Sequence, residues 1–242
     1  MSLSNGPHLS PQEKTDIERG IGWFKKNFGA KINQAIQGTL YTLDILTAIA
    51  VQETFVVWGK AYKIPNLAIG DVLTLCVGDP LDEEDGRDQD AFPQNRAVLE
   101  SKANGPQMFQ IARNALEGLV RFAPYEQRFV DKPNKFCHAF GIFQYDIQAF
   151  LHDSDYFLNK RWGDFSLCLR KCLNELNEKS AKYYPHAVTL SDAQLIYLSI
   201  AYNNGSVDLN GDFNQGYLQD GFRYGAWIEL YLGLAKETPA AA

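Results

Sequence analysis

Three short segments carry residue types able to move a proton or grip polar groups. The first is Ala48-Ile49-Ala50-Val51-Gln52-Glu53-Thr54. It closes a run beginning at Leu43 that is apolar on nearly all sides until Gln52, and a helix apolar all round is a buried one. A carboxylate leaving such a helix sits in low dielectric, which favours the protonated acid. That is the state a general acid needs to cleave a glycosidic bond. The same residue also reads as a glutamate exposed near a helix end. The second segment is Ala139-Phe140-Gly141-Ile142-Phe143-Gln144-Tyr145-Asp146. Gly141 permits an unusual backbone angle or the close approach of a ligand, and Gln144 offers both a donor and an acceptor to hydroxyls and amides. Taken alone, it also reads as a turn followed by core aromatics. The third is Ser199-Ile200-Ala201-Tyr202-Asn203-Asn204-Gly205. Its Asn-Asn-Gly ending is helix C-cap chemistry. There Tyr202 can reach a nearby carboxylate and Asn203 an acetamido group. Tyr224, at the start of the last helix, is the aromatic expected nearest to these groups.

The elements that must position these groups are mostly helical. Ser10-Pro11-Gln12-Glu13 is a capping box with proline at the first helical position. Ile17, Ile21 and Phe24 then form an apolar face, and Gly29 is expected to stop the helix. Residues 1–9 are expected to be frayed. A second helix starts at Thr42-Leu43-Asp44 and holds Glu53 near its C-terminal end. Residues 59–106 are interrupted by glycines and prolines, with short elements among them. Met108, Ile111, Ala112, Ala115, Leu116 and Leu119 mark a third helix at the 3.6-residue period. Helical stretches at 147–158 and 162–184 follow, then a Ser191-capped helix, a polar loop over 203–221 and a helix from about Phe222 to Leu234. A small hairpin is expected around 135–145, and the 238–242 tail is expected to be disordered. The reading is mainly α, as a single domain over 1–242.

Composition bounds the partners. The formal net charge is −6, which speaks against broad electrostatic capture of nucleic acid. It is concentrated in residues 79–90, which hold seven acids and one arginine, and the rest of the chain is balanced. No apolar stretch approaches the roughly 20 residues of a membrane span. Four cysteines, Cys76, Cys137, Cys168 and Cys172, are too few for a disulfide framework. Cys168 and Cys172 read as small core residues on a helix, with metal binding as the lesser alternative. Asp208, Asn210, Asp212 and Asn214 alternate as calcium ligands do, but Phe213 stands where that loop needs glycine, and no glutamate closes it at Gln219. This favours a polar loop. No metal and no cofactor is implied.

Together and in this order, the three segments resemble the lysozyme-like superfamily, specifically the lytic transglycosylases and goose-type lysozymes. Those proteins carry Glu-Ser on a buried helix, then Gly-Leu-Met-Gln, then Ala-Tyr-Asn-Ala-Gly. The matching residues are Glu53-Thr54, Gly141-Ile142-Phe143-Gln144 and Ala201-Tyr202-Asn203-Asn204-Gly205. Gly-Ile-Phe-Gln is also similar to a strand of chicken-type lysozymes. Thr54 keeps the hydroxyl of the usual serine, whereas Asn204 replaces a small alanine. Glu53 and Gln144 lie farther apart than is usual in the family, so residues 59–137 are expected to form an insertion lobe beside the cleft.

The resemblance implies a lysozyme-like helical fold and cleavage of the β-1,4 bonds of peptidoglycan. Glu53 would be the single general acid, and Thr54, Gly141, Gln144, Tyr202, Asn203 and Tyr224 would bind substrate. Asp146 is the nearest candidate for a second carboxylate, with Asp88 and Asp90 more distant. A chitin- or chitosan-cleaving enzyme of the same fold and a non-catalytic glycan-binding envelope protein are the alternatives. Met1-Ser2-Leu3 lacks the basic and apolar regions of a secretory signal. Either the protein acts where it is made or its leader is absent from this sequence, and the resemblance implies the latter, an envelope or secreted protein.

Overall fold

The computed structural model describes residues 6–80 and 91–241. The described chain is mainly helical, and none of its helices is long and apolar enough to cross a membrane. In chain order the elements are α1 (Pro11–Ala35), α2 (Leu43–Ala61), α3 (Ile69–Leu75), β1 (Val77–Pro80), α4 (Arg96–Glu100), α5 (Gly105–Leu119), α6 (Gln127–Val130), β2 (Cys137–Phe140), β3 (Tyr145–Asp146), α7 (Ser154–Leu158), α8 (Phe165–Tyr183), α9 (Asp192–Asn204), β4 (Leu218–Gln219), β5 (Phe222–Arg223) and α10 (Tyr224–Glu237). Residues 147–151 form a 3-10 turn ahead of α7.

Contacts divide the chain into two compact units, one of residues 1–53 with 169–242 and the other of residues 54–168. In the first unit, the Ser10 capping box opens α1 as expected. The helix does not stop at Gly29. It continues to Ala35, because Phe28 and Ile32 extend the buried face begun by Ile17, Ile21 and Phe24. A glycine inside a helix costs about 1 kcal/mol relative to alanine, less than burying Ile32 returns. The 238–242 tail is also more ordered than expected as far as Ala241, whose N–H donates to the Gly22 carbonyl at 2.9 Å. At the other end, residues 1–5 lie outside the described residues, and Pro7 is buried where fraying was expected. Thr42 caps α2 by accepting the Ile45 N–H at 3.2 Å. α9 has its expected capping box at Ser191, buries Leu195, Leu198 and Ala201, and ends on the left-handed Gly205.

The second unit is built around an antiparallel sheet of order β1-β2-β3. Val77 pairs with Phe140, Gly78 with Ala139, Pro80 with Cys137, and Ala139 with Asp146. The hairpin expected at 135–145 is therefore present, and β1 adds a third strand. Residues 59–137 fold together with 138–168, because β1 pairs with β2 and α5 packs on both. An aromatic core covers the sheet, with Phe140 in edge contact with Phe157 at 5.5 Å and tilted against Trp162 at 4.8 Å.

Candidate active site

Glu53 does not lie near the end of α2. The helix runs on to Ala61 because Val57, Trp58 and Ala61 are buried and prolong its apolar face through Gly59. Glu53 is half-buried on this helix, between half-buried Gln52 and fully buried Thr54. Its carboxylate Oε1 accepts a hydrogen bond from the Tyr224 hydroxyl at 2.7 Å. Tyr224 is the first residue of α10 and is 2 % exposed, so its ring is fixed by packing as well as by this bond. Burial, with the adjacent Glu53 charge, raises the Tyr224 phenol well above its ordinary range. The hydroxyl therefore keeps its proton and serves as a donor. Burial and the same carboxylate also raise Tyr202, which puts both tyrosines within electrostatic reach of Glu53.

The segment before α10 sets Tyr224 in place. Asn203 Oδ1 accepts the Tyr217 N–H at 3.2 Å, and the Tyr217 carbonyl accepts the Tyr224 N–H at 2.8 Å. Gly216 between them has φ +88°, and a Cβ there would come within 2.8 Å of the Tyr224 Cβ and 3.2 Å of Asn203 Oδ1. The oxygen of the Asn203 amide thus holds the backbone that presents Tyr224, while the residue itself stays exposed at the end of α9. Gln52 Nε2 donates to Gln219 Oε1 at 2.9 Å, and the Trp227 indole N–H donates to the Gln219 carbonyl at 3.1 Å. Gln52 Oε1 is buried without a hydrogen-bond partner. The alternating Asp208 and Asp212 accept the N–H groups of Asn210 and Asn214, each at 2.9 Å. Their side chains thus close tight turns in a polar loop.

In the second unit, the Thr54 hydroxyl donates to the Ile142 carbonyl at 3.0 Å, and Thr54 is 1 % exposed. Its hydroxyl anchors the Gly141–Gln144 turn and is shielded from any ligand in solution. Gly141 has φ +87°, and a Cβ there would meet Cys168 Sγ at 2.7 Å and Trp162 Cβ at 3.0 Å. The unusual backbone angle expected at Gly141 is present, and what approaches it closely is the protein core. Gln144 also has a left-handed backbone, and its Nε2 donates to the Gly141 carbonyl at 2.8 Å. Its Oε1 would come within 2.5 Å of a Cβ on Gly78, so a side chain there would have to displace the end of Gln144. Asp146 Oδ1 accepts the Gln148 N–H at 2.6 Å and caps the 3-10 turn. Asp88 and Asp90 lie outside the described residues.

The four cysteines are buried and none forms a disulfide, as core residues would be. Burial pushes the Cys168 thiol up to about 11 and those of Cys76 and Cys137 upward as well, which removes them as nucleophiles. Sequence reasoning expected Tyr224 near these groups but did not foresee that its hydroxyl donates to Glu53 Oε1. It also passed over Gln219, Asp79 and His138. Asp79, His138 and Asp146 each bring one ligand-type atom, and these lie within 4.8 Å of one another. β2 is buried at every position, so no alternation marked His138 as special. Comparison of the chain with family models, with curated proteins and with solved structures gives no match in any of the three.

Proposed function

We propose that the protein is a lysozyme-like enzyme that cleaves β-1,4 bonds of peptidoglycan, with Glu53 as general acid. The observation that carries this reading is the Tyr224 hydroxyl on Glu53 Oε1 at 2.7 Å, on a helix most of whose residues are buried. A solvated structural glutamate has no need of a buried tyrosine to hold one of its oxygens. A proton donor does, because its transfer geometry must be fixed before the substrate arrives. In this reading the Glu53 carboxyl faces the glycosidic oxygen. As the bond breaks, Glu53 gives its proton to the leaving sugar, and the tyrosine hydroxyl steadies the carboxylate that forms. Such stabilisation of a developing charge by a preorganised donor is the usual source of catalytic power. The substrate's own acetamido group or its 6-hydroxyl supplies the nucleophile, so no second protein carboxylate is required. Tyr202 and Asn203, at the end of α9, line the same neighbourhood as Tyr224 and are the residues we assign to substrate contact.

Mass spectrometry of products released from purified cell-wall sacculi, run beside chitosan and chitin oligomers, tests this reading. Muropeptides cut after N-acetylmuramic acid are expected, with an anhydro product lighter by one water than the hydrolytic one. Cleavage of chitosan alone would replace the substrate. Binding to sacculi without any release would replace catalysis by glycan recognition.

A further inference from the structure

We propose that Asp79, His138 and Asp146 form a binding site for one divalent transition-metal ion, zinc foremost, that ties together the three strands of the sheet. One residue comes from each strand: Asp79 from β1, His138 from β2 and Asp146 from β3. The register puts Asp79 across from His138, between the pairs Gly78–Ala139 and Pro80–Cys137, and Asp146 across from Ala139 beside it. Their ligand-type atoms all lie within 4.8 Å of one another. Around a tetrahedral ion with bonds of about 2.0–2.1 Å, ligand atoms are separated by roughly 3.4 Å. Small side-chain rotations would therefore close the set.

The histidine is what distinguishes this place from an ordinary acidic patch. His138 is 2 % exposed, and its Nε2 is buried with no hydrogen-bond partner. The ring's hydrogen bond goes to the Pro93 backbone, which leaves Nδ1 as the nitrogen that makes it. Since a carbonyl can only accept, Nδ1 carries the ring proton and Nε2 presents its lone pair. Metal-bound histidines are held in this way, with one ring N–H given to a backbone carbonyl and the other nitrogen free to bind. Leaving a buried nitrogen unpaired costs about 1–3 kcal/mol, and an ion would remove that cost.

One imidazole with two carboxylates suits zinc or manganese better than calcium or magnesium, which favour all-oxygen sets. Three protein ligands leave a fourth position for water.

The test is titration of the chelator-stripped full chain with zinc chloride by calorimetry, with manganese, calcium and magnesium in parallel. The His138 ring nitrogens are followed by NMR in the same samples. Saturation at one zinc per chain, a shift of the His138 Nε2 resonance and a raised Tm are expected. Asp79→Asn and Asp146→Asn should each weaken zinc binding at least about tenfold, the scale on which metal-site substitutions act. Both should keep the fold, since asparagine tolerates the left-handed backbone of Asp79 and can still cap at 146. Neutralising Asp82, Glu83, Glu84 and Asp85 together should leave zinc binding unchanged. No stoichiometric binding, binding indifferent to Asp79→Asn and Asp146→Asn, or loss of binding in the neutralised variant would each overturn the proposal.

Discussion

Replacing Tyr224 with phenylalanine removes one oxygen and leaves the ring, so packing at this 2 % exposed position is retained. What disappears is the donor on Glu53 Oε1 at 2.7 Å. A hydrogen bond to a charged group contributes about 1.5–3 kcal/mol, and about 1.4 kcal/mol corresponds to one pH unit. The donor favours the carboxylate over the acid, so its loss lets the general acid hold its proton to higher pH. The basic limb of the pH–rate profile for sacculus cleavage should therefore move alkaline. The maximal rate should fall, because the carboxylate formed at the transition state is no longer steadied. Glu53 is half-buried, and water can recover part of the lost bond. The stability loss should thus lie near the lower end, about 1.5 kcal/mol, or roughly 3–6 °C in Tm for a chain of this size. Turbidity loss of labelled sacculi across pH, with Tm measured on the same preparations, reads both effects. A basic limb and a Tm both unchanged in Tyr224→Phe would refute the coupling of Tyr224 to Glu53.

Gly141→Ala should lower stability by at least about 2 kcal/mol in urea titrations, since alanine is strained at positive φ and its Cβ would meet Cys168 Sγ at 2.7 Å; a change under 0.5 kcal/mol would contradict that geometry. Thr54→Val keeps the shape but strips the Ile142 carbonyl of a buried donor, and should cost about 1–3 kcal/mol in the same assay. Stability should also fall as pH rises past about 10, where the tyrosines of the unfolded chain ionise. Burial raises Tyr41 to about 12 and holds Tyr202 and Tyr224 higher still, so the folded state keeps protons that the unfolded state releases. Below that pH all are protonated in both states, and their contribution is constant. Tyrosinate absorbance should therefore show a fraction of the 12 tyrosines appearing only with unfolding; full ionisation before unfolding would contradict this burial.

The helices were legible where local chemistry defines them. The Ser10 and Ser191 capping boxes, the Gly205 stop and the periodic face of α5 depend on residues close in sequence, and a single chain displays them. Two boundaries were misread for a common reason. Gly29 and Gly59 look like stops locally, but burial of Ile32 and of Trp58 outweighs the cost of a helical glycine. The Ala241 contact with Gly22 was invisible for the opposite reason, since it joins the two ends of the chain. At the candidate site the residue types were legible and their pairings were not. Tyr202 and Tyr224 are both tyrosines beside Glu53, and only the path through Asn203, Gly216 and Tyr217 settles which hydroxyl is presented to Oε1. Thr54 and Gln144 look like ligands for a substrate in one dimension. In three, much of their polar capacity fixes the Gly141 turn. Asp79 and His138 are 59 positions apart and meet only because β1 pairs with β2.

The central claim is that Glu53 is the general acid of a glycan-cleaving site, and Glu53→Gln tests it most directly. Glutamine keeps an oxygen to accept the Tyr224 hydroxyl and matches the volume of glutamate, so the fold should persist. It has no proton to transfer, and removing a general acid lowers turnover by about 10²–10⁴-fold. Release of muropeptides from sacculi, measured per folded molecule at matched Tm, should fall by at least the lower of these factors. Turnover within tenfold of the unaltered protein would contradict the account.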